Sequence, residues 1–221
     1  MKTKLIIFDL DGTLLNSVED LGRAVNHALQ LRGFVTHTMG EYRYFVGNGV
    51  RKLIERALRA SLGHDADTKL QEEVLADFMP YYIEHKCDYT RPYDGIPELL
   101  QALEKHGVKI AVASNKFIEG TQALVKNFFP DVTFTSVLGQ REGVPVKPNP
   151  QIVYDILSEA GVTASEALYV GDTGIDMQTA RNAGVESIGV LWGFRTKDEL
   201  IENGAVHIIS KPSEILNLLQ E

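Results

Sequence analysis

The chain has one cysteine, Cys87, so an intramolecular disulfide and a thiolate zinc cluster are both excluded. Asp88 beside it is a poor setting for a reactive thiolate, and Cys87 reads as structural. Long apolar runs are missing too. Nothing approaches eighteen continuous apolar residues, and the apolar stretch near the N-terminus is too short for a signal-peptide core. A soluble cytoplasmic protein with no membrane partner is expected. Positive charge is scarce: 22 Lys plus Arg face 30 Asp plus Glu, a formal net charge of -8, which opposes binding to nucleic acid. A small phosphorylated metabolite fits that balance only if cations gather at its site. The six histidines, His27, His37, His64, His85, His106 and His207, show no metal-ligand spacing, and no internal repeat or low-complexity linker is visible.

The apolar fraction, 44% of 221 residues, is ample for a packed interior, and the length suits a core with an inserted smaller module. Residues Lys4 to Leu15 run through four apolar residues into Asp9, Asp11 and a Gly-Thr turn. A short apolar run without alternation suits a buried strand of a parallel sheet, whose carboxyl edge is where open α/β sheets bind ligands. Two carboxylates one residue apart there repel, so either one is protonated or a cation sits between them. The plain alternative is an acidic turn, since Asp-Gly is a common turn pair.

Beyond Asn16 and Ser17 the pattern turns helical. Val18, Leu21, Val25, Ala28 and Leu29 predict a helix up to Gly33, and further helices are predicted over Val50–Leu62 and Asp67–His85, with no strand among them before Tyr89. The α/β rhythm restarts at Tyr93, with Pro97 opening a helix. Strands are predicted at Val108–Ala113, Phe134–Leu138, Ala167–Val170 and Ser187–Leu191, and helices at Thr121–Phe128, Pro150–Ala160 and Asp176–Ala183. The expectation is an α/β fold, a Rossmann-like doubly wound parallel sheet formed by residues 1–15 and 93–221. An all-helical domain of residues 16–92 is inserted in it, with hinges near Leu14–Ser17 and Arg91–Gly95.

Four segments then line up in order. Asp9-Leu10-Asp11-Gly12-Thr13 resembles the first motif of the haloacid dehalogenase superfamily. Ser114, in Ala113-Ser114-Asn115-Lys116 after the second strand, matches its second motif, and Lys147, in Val146-Lys147-Pro148-Asn149-Pro150, its third. Gly171-Asp172-Thr173-Gly174-Ile175-Asp176 matches its fourth. Taken singly, Ser114 would be a turn residue, Lys147 a surface lysine and Asp172 a helix cap. The order of the set favours the resemblance, and the inserted helical domain is similar to the cap of one subgroup, the phosphoglycolate phosphatases. Phe45-Val46-Gly47-Asn48-Gly49-Val50-Arg51, Trp192-Gly193-Phe194-Arg195 and Lys211-Pro212-Ser213-Glu214-Ile215 also look like that subgroup.

The resemblance implies a magnesium-dependent phosphatase of small phosphomonoesters, a monomer or homodimer. Asp9 would be the nucleophile that forms an aspartyl-phosphate, Asp11 the general acid and base, and Ser114 and Lys147 the contacts that hold the phosphoryl group and balance its charge. Asp9, Asp172, Asp176 and the Asp11 carbonyl would surround the ion, with Asp176 expected behind a water rather than on the metal. Thr13, Asn115, Gly47, Asn48 and Arg51 would contact substrate, Arg51 meeting a carboxylate. The rival readings are a sugar phosphomutase of the β-phosphoglucomutase type, an inorganic pyrophosphatase of the same superfamily, and, from another class, a receiver-type phospho-accepting signalling domain. Asp-Gly-Thr rather than Asp-Gly-Val argues for hydrolysis over mutase chemistry. The position of the Asp pair on the first strand, with a large insertion after it, argues against a receiver.

Overall fold

The computed structural model describes residues 3–219. In chain order the elements are β1 (Leu5–Phe8), β2 (Leu15–Asn16), α1 (Val18–Leu31), α2 (Met39–Phe45), α3 (Val50–Leu62), α4 (Thr68–His85), β3 (Arg91–Pro92), α5 (Ile96–Lys105), β4 (Lys109–Phe117), α6 (Ile118–Phe128), β5 (Ser136–Gln140), α7 (Gln151–Ala160), β6 (Ala167–Gly171), α8 (Gly174–Ala183), β7 (Glu186–Val190), α9 (Lys197–Glu202), β8 (His207–Ile209) and α10 (Ile215–Leu218). They divide into two compact units, one of residues up to Leu15 and from Pro92 onward, the other Asn16–Arg91.

The first unit is built on a six-stranded sheet in the order β5-β4-β1-β6-β7-β8, parallel throughout. It is an α/β Rossmann-like fold. All four residues of β1 are fully buried because helices cover both faces. Leu5 and Ile7 pack with Ala111, Ala113, Ile152, Val153, Ile156 and Ala180, so α7 and α8 cover their side of the sheet. Burying each such side chain contributes roughly 1.5–3 kcal/mol before chain entropy is subtracted. The chain winds outward from β1 to β4 and β5, then returns to β6 on the other side. The crevice outside β1 and β6 is therefore the topological switch point, where such sheets take ligands.

Register fixes what reaches that edge. Phe8 pairs with Val112 on one side and Val170 on the other. Asp9 is thus level with Ala113 and Gly171, and the next residues along, Ser114 and Asp172, emerge beside it.

The second unit holds α1 to α4. On α1, Leu21, Ala24, Val25, Ala28 and Leu29 form the buried stripe. Val74, Phe78 and Tyr82 form that of α4, whose N-cap Asp67 accepts from the Leu70 amide at 2.8 Å. Arg32 joins α1 to α4 through Glu73 and Asp77, each at 2.6 Å. Asp20 is buried and accepts from the amides of Tyr89 and Thr90 and from the Thr90 hydroxyl, which leaves its carboxylate well supplied with donors.

Several elements differ from the sequence expectation. The sheet has a sixth strand, β8, whose three residues, one buried and two half-buried, carry too little pattern to read. β4 continues past Ala113 to Phe117, with a register shift against β5 over that stretch, because the polar residues Ser114 to Lys116 are buried at the sheet edge rather than turning away from it. β5 begins at Ser136, two residues later than expected. Helix α2 was signalled only by its capping box, Thr38 with Glu41, and buries a single residue, Tyr42. β2 and β3 pair as a separate two-residue ribbon, too short for any period.

Candidate active site

The site is assembled at the carboxyl edge of β4, β1 and β6. Asp9 follows β1 directly, its amide donating to the Val170 carbonyl at 2.9 Å, and it is 6% exposed. Asp172 follows β6 and is fully buried. Asp176 sits in the first turn of α8, also fully buried, with Oδ2 accepting from the Thr173 amide at 3.1 Å and hydroxyl at 2.6 Å. One carboxylate oxygen from each of Asp9, Asp172 and Asp176 lies within 4.8 Å of the others. The two aspartates expected to share a cation, Asp9 and Asp172, therefore converge.

Lys147 lies among them, 2% exposed. Its Nζ reaches Asp176 Oδ1 at 2.7 Å and Asp9 Oδ1 at 3.0 Å, and donates to the Ala113 carbonyl at 2.8 Å and the Tyr169 hydroxyl at 3.0 Å. Burial alone would strip its proton, but Asp176 and Asp9 outweigh burial and hold the ammonium well above the usual lysine range. For Asp9 the balance falls the other way. Burial pushes its carboxyl up to about 7, Lys147 pulls it back in part, and Asp176 adds to the rise. Asp172 is raised well above the carboxylate range by burial and then by Asp176 and Asp9.

Three buried carboxylates face one buried ammonium, and this shortfall of positive charge adds to the larger effect of burial in these upward shifts. A hard divalent cation is the group that oxygen donors of this kind hold, and the set fits one. Asp172 is presented for such a role by the Thr13 hydroxyl on Oδ1 at 3.0 Å and the Phe194 amide on Oδ2 at 2.8 Å. Gly12 and Gly193 crowd the same carboxylate so closely that a Cβ on either would overlap it, and Gly12 also has a φ of +93°. The turn after Asp11 is tied by the Leu10 carbonyl, which accepts from the amides of Thr13, Leu14 and Leu15. Trp192 Nε1 donates to the Thr13 carbonyl at 3.0 Å.

The remaining sequence-predicted residues fall in different places. Ser114 is buried at the edge, its Oγ accepting from the Lys116 amide at 3.2 Å. Asp11 is ion-paired with Lys116 at 2.9 Å. Asn115, expected against substrate, has its side-chain amide on the Lys147 backbone. Oδ1 accepts from the Lys147 amide at 2.8 Å and Nδ2 donates to its carbonyl at 3.1 Å. Thr13, expected on substrate as well, donates its hydroxyl to Asp172. Gly47, Asn48 and Arg51 belong to the helical unit. There Gly47 has a φ of +127°, Asn48 Oδ1 accepts from Arg56 at 2.7 Å, and the Arg51 guanidinium pairs with Glu72.

Lys116, Tyr169 and the Phe194 amide were not singled out from the sequence. Lys116 carried a signal, a lysine two residues beyond Ser114 in a strand too buried to tolerate a free charge, whereas a backbone amide carries none. A cavity of about 760 Å³ lined by Tyr93, Leu99, Trp192, Lys211, Pro212 and Leu216 shares no lining residue with the acidic cluster. The chemistry, not the size of the concavity, marks the site.

The comparisons agree with this geometry. The family model for haloacid dehalogenase-like hydrolases matches residues 6–190. A phosphoglycolate phosphatase of Aquifex aeolicus is 32% identical over 216 residues, covering 98% of this chain and 96% of its own length. One from Pseudomonas putida is 37% identical over 197 residues, 86% of this chain and 70% of its own. The crystal structure of a protein from Lactobacillus delbrueckii subsp. bulgaricus superposes with a TM-score of 0.93 at 34% identity over 99% of both chains. The chain belongs to the haloacid dehalogenase-like hydrolase family and is similar over nearly its whole length to the phosphoglycolate phosphatases within it.

Proposed function

We propose that this phosphatase hydrolyses small phosphomonoesters through a phosphoryl group carried on Asp9, with a magnesium ion held by Asp9, Asp172 and the Asp11 carbonyl. The observation that carries the reading is the single buried cluster of Asp9, Asp172, Asp176 and Lys147 at the switch point of the sheet. In the first half-reaction a carboxylate oxygen of Asp9 forms a bond to phosphorus as the bond from phosphorus to the ester oxygen breaks. The departing oxygen takes the electron pair, and the Asp11 carboxyl gives it a proton. In the second half a water attacks the same phosphorus and yields its proton to the Asp11 carboxylate. The bond to Asp9 breaks, returning its carboxylate and releasing phosphate.

Ser114 binds a phosphoryl oxygen by its hydroxyl. Lys147 keeps Asp9 and Asp176 from repelling each other and holds Asp9 in line. Asp176 has one oxygen occupied by Thr173 and the other by Lys147, so it acts from behind the ion rather than on it. The ion, when bound, supplies charge neutralisation on the phosphoryl oxygens.

Phosphoglycolate is the substrate best supported, because curated relatives that match nearly the whole chain bear that activity in their names. The test is phosphate release from phosphoglycolate, sugar phosphates, pyrophosphate and p-nitrophenyl phosphate, with magnesium and with EDTA. Magnesium-dependent release, fastest from phosphoglycolate, is expected. Isomerised sugar phosphate without net release would instead support the mutase reading. Should a phosphatase with no preference for carboxylated esters emerge, the substrate assignment falls while the chemistry stands. Arg51→Ala separates these further: a Michaelis constant raised more for phosphoglycolate than for an uncharged ester is expected. Equal effects would mean that Arg51 serves only Glu72.

A further inference from the structure

Four carboxylates and two ammonium groups crowd the edge of the sheet, and the lysines are not equivalent. Lys147 serves Asp9 and Asp176. Lys116 serves Asp11, at 2.9 Å from Oδ2, and its side chain is more deeply buried than its partner's, 4% against 12% exposed. An ammonium taken out of water costs several kcal/mol unless a close opposite charge offsets it, and Asp11 supplies such a charge to Lys116.

The lysine backbone is firmly held. Its amide donates to Ser114 Oγ, its carbonyl accepts from Thr121 Oγ1 at 3.2 Å, and Gly139 packs so tightly on that carbonyl that any Cβ there would collide with it. Asp11 sits in the tied turn that precedes Gly12. Its carboxylate lies outside the cluster of Asp9, Asp172 and Asp176, although only Leu10 separates it from Asp9 in sequence.

We infer that Lys116 is a positioning residue: by holding the Asp11 carboxylate away from the other three it reserves that side chain for proton transfer to and from the ester and water oxygens. The inference rests on the proposed role of Asp11 as proton donor. Identical side chains then acquire separate tasks because two lysines sort them, Lys147 gathering two carboxylates and Lys116 withdrawing the fourth.

The leaving group provides the test. A nitrophenolate departs without a proton, whereas an alkoxide requires one, and a positioned acid is worth on the order of 10²–10⁴-fold to the latter. The kcat/KM of Lys116→Met, which reports the first half-reaction, should therefore fall about thirty-fold or more further on glycerol phosphate than on p-nitrophenyl phosphate. Lys116→Arg should recover part of that gap. Should the Met variant not fold by circular dichroism, Lys116→Gln is read in the same way. Parallel losses of kcat/KM on both esters, carried in the Michaelis constant, would make Lys116 a phosphate contact and overturn the inference, as would no loss on either. Asp9→Asn run alongside separates the two levels. If it is inactive while the Lys116 variants fail the test, only the inference falls; if it turns over, the reading of the site falls with it.

Discussion

Removing the charge of Lys147 while keeping the length of its side chain, as Lys147→Met does, tests the electrostatic heart of the site. The ammonium is 2% exposed and satisfies two carboxylates, a carbonyl and a hydroxyl. Without it, Asp176 Oδ1 retains only the Tyr169 hydroxyl at 3.4 Å, and three buried carboxylates face each other with no cation among them. Breaking one side of a buried pair costs about 3–5 kcal/mol. With a denaturant slope of roughly 2 kcal/mol per molar urea, the midpoint should fall by about 1.5–2.5 M in EDTA. Trp192, the sole tryptophan, lies in the sheet unit, so its fluorescence follows the unit that holds the cluster. Adding Asp176→Asn to Lys147→Met should restore part of the loss, giving a coupling above about 1 kcal/mol in the double-mutant cycle. A single-variant loss below about 1 kcal/mol, or strictly additive losses, would refute the charge accounting offered for this site.

Two further outcomes follow from the same accounting. The Asp9 carboxyl, raised from 3.8 to about 7, keeps its proton in the folded state where the unfolded chain has lost it. The associated stability is complete below 3.8, declines as pH climbs and is gone above about 7, a difference of roughly 4 kcal/mol in the metal-free protein. If magnesium is held by the ionised carboxylates, as proposed, it should raise Tm more at pH 8 than at pH 5.5, and equal shifts would contradict this. Gly193→Ala places a methyl against Asp172 and the Gly12 carbonyl. Magnesium affinity by calorimetry should weaken about tenfold or more while the circular dichroism spectrum is kept, and unchanged affinity would remove Asp172 from the ion.

Much of the site could be read in the sequence because the parallel sheet writes a plain signature. A buried strand shows no alternation, so Leu5–Phe8 running into Asp9 and Ala167–Gly171 running into Asp172 both announce a carboxylate at a strand end. Register, which no single strand displays, brings the two together. The sequence could not say what Asn115 and Thr13 bind, because polar side chains in a motif read alike whether they touch a ligand or a neighbour. Asn115 is taken by the Lys147 backbone and Thr13 by Asp172. The Phe194 amide and the Leu10 carbonyl work through the main chain and have no residue type to betray them. β8 and α2 escaped for a different reason: elements of three and seven residues that bury one side chain each have no period to detect.

The central claim is that Asp9 itself attacks phosphorus. Quenching the enzyme with borohydride during turnover, then sequencing the peptide that spans residues 4–15 by mass spectrometry, tests it directly, since reduction of an acyl phosphate converts aspartate to homoserine. Homoserine at position 9, absent without substrate and absent in Asp9→Asn, is the predicted result. An unaltered Asp9 in enzyme caught releasing phosphate, or homoserine at position 11 instead, would contradict it.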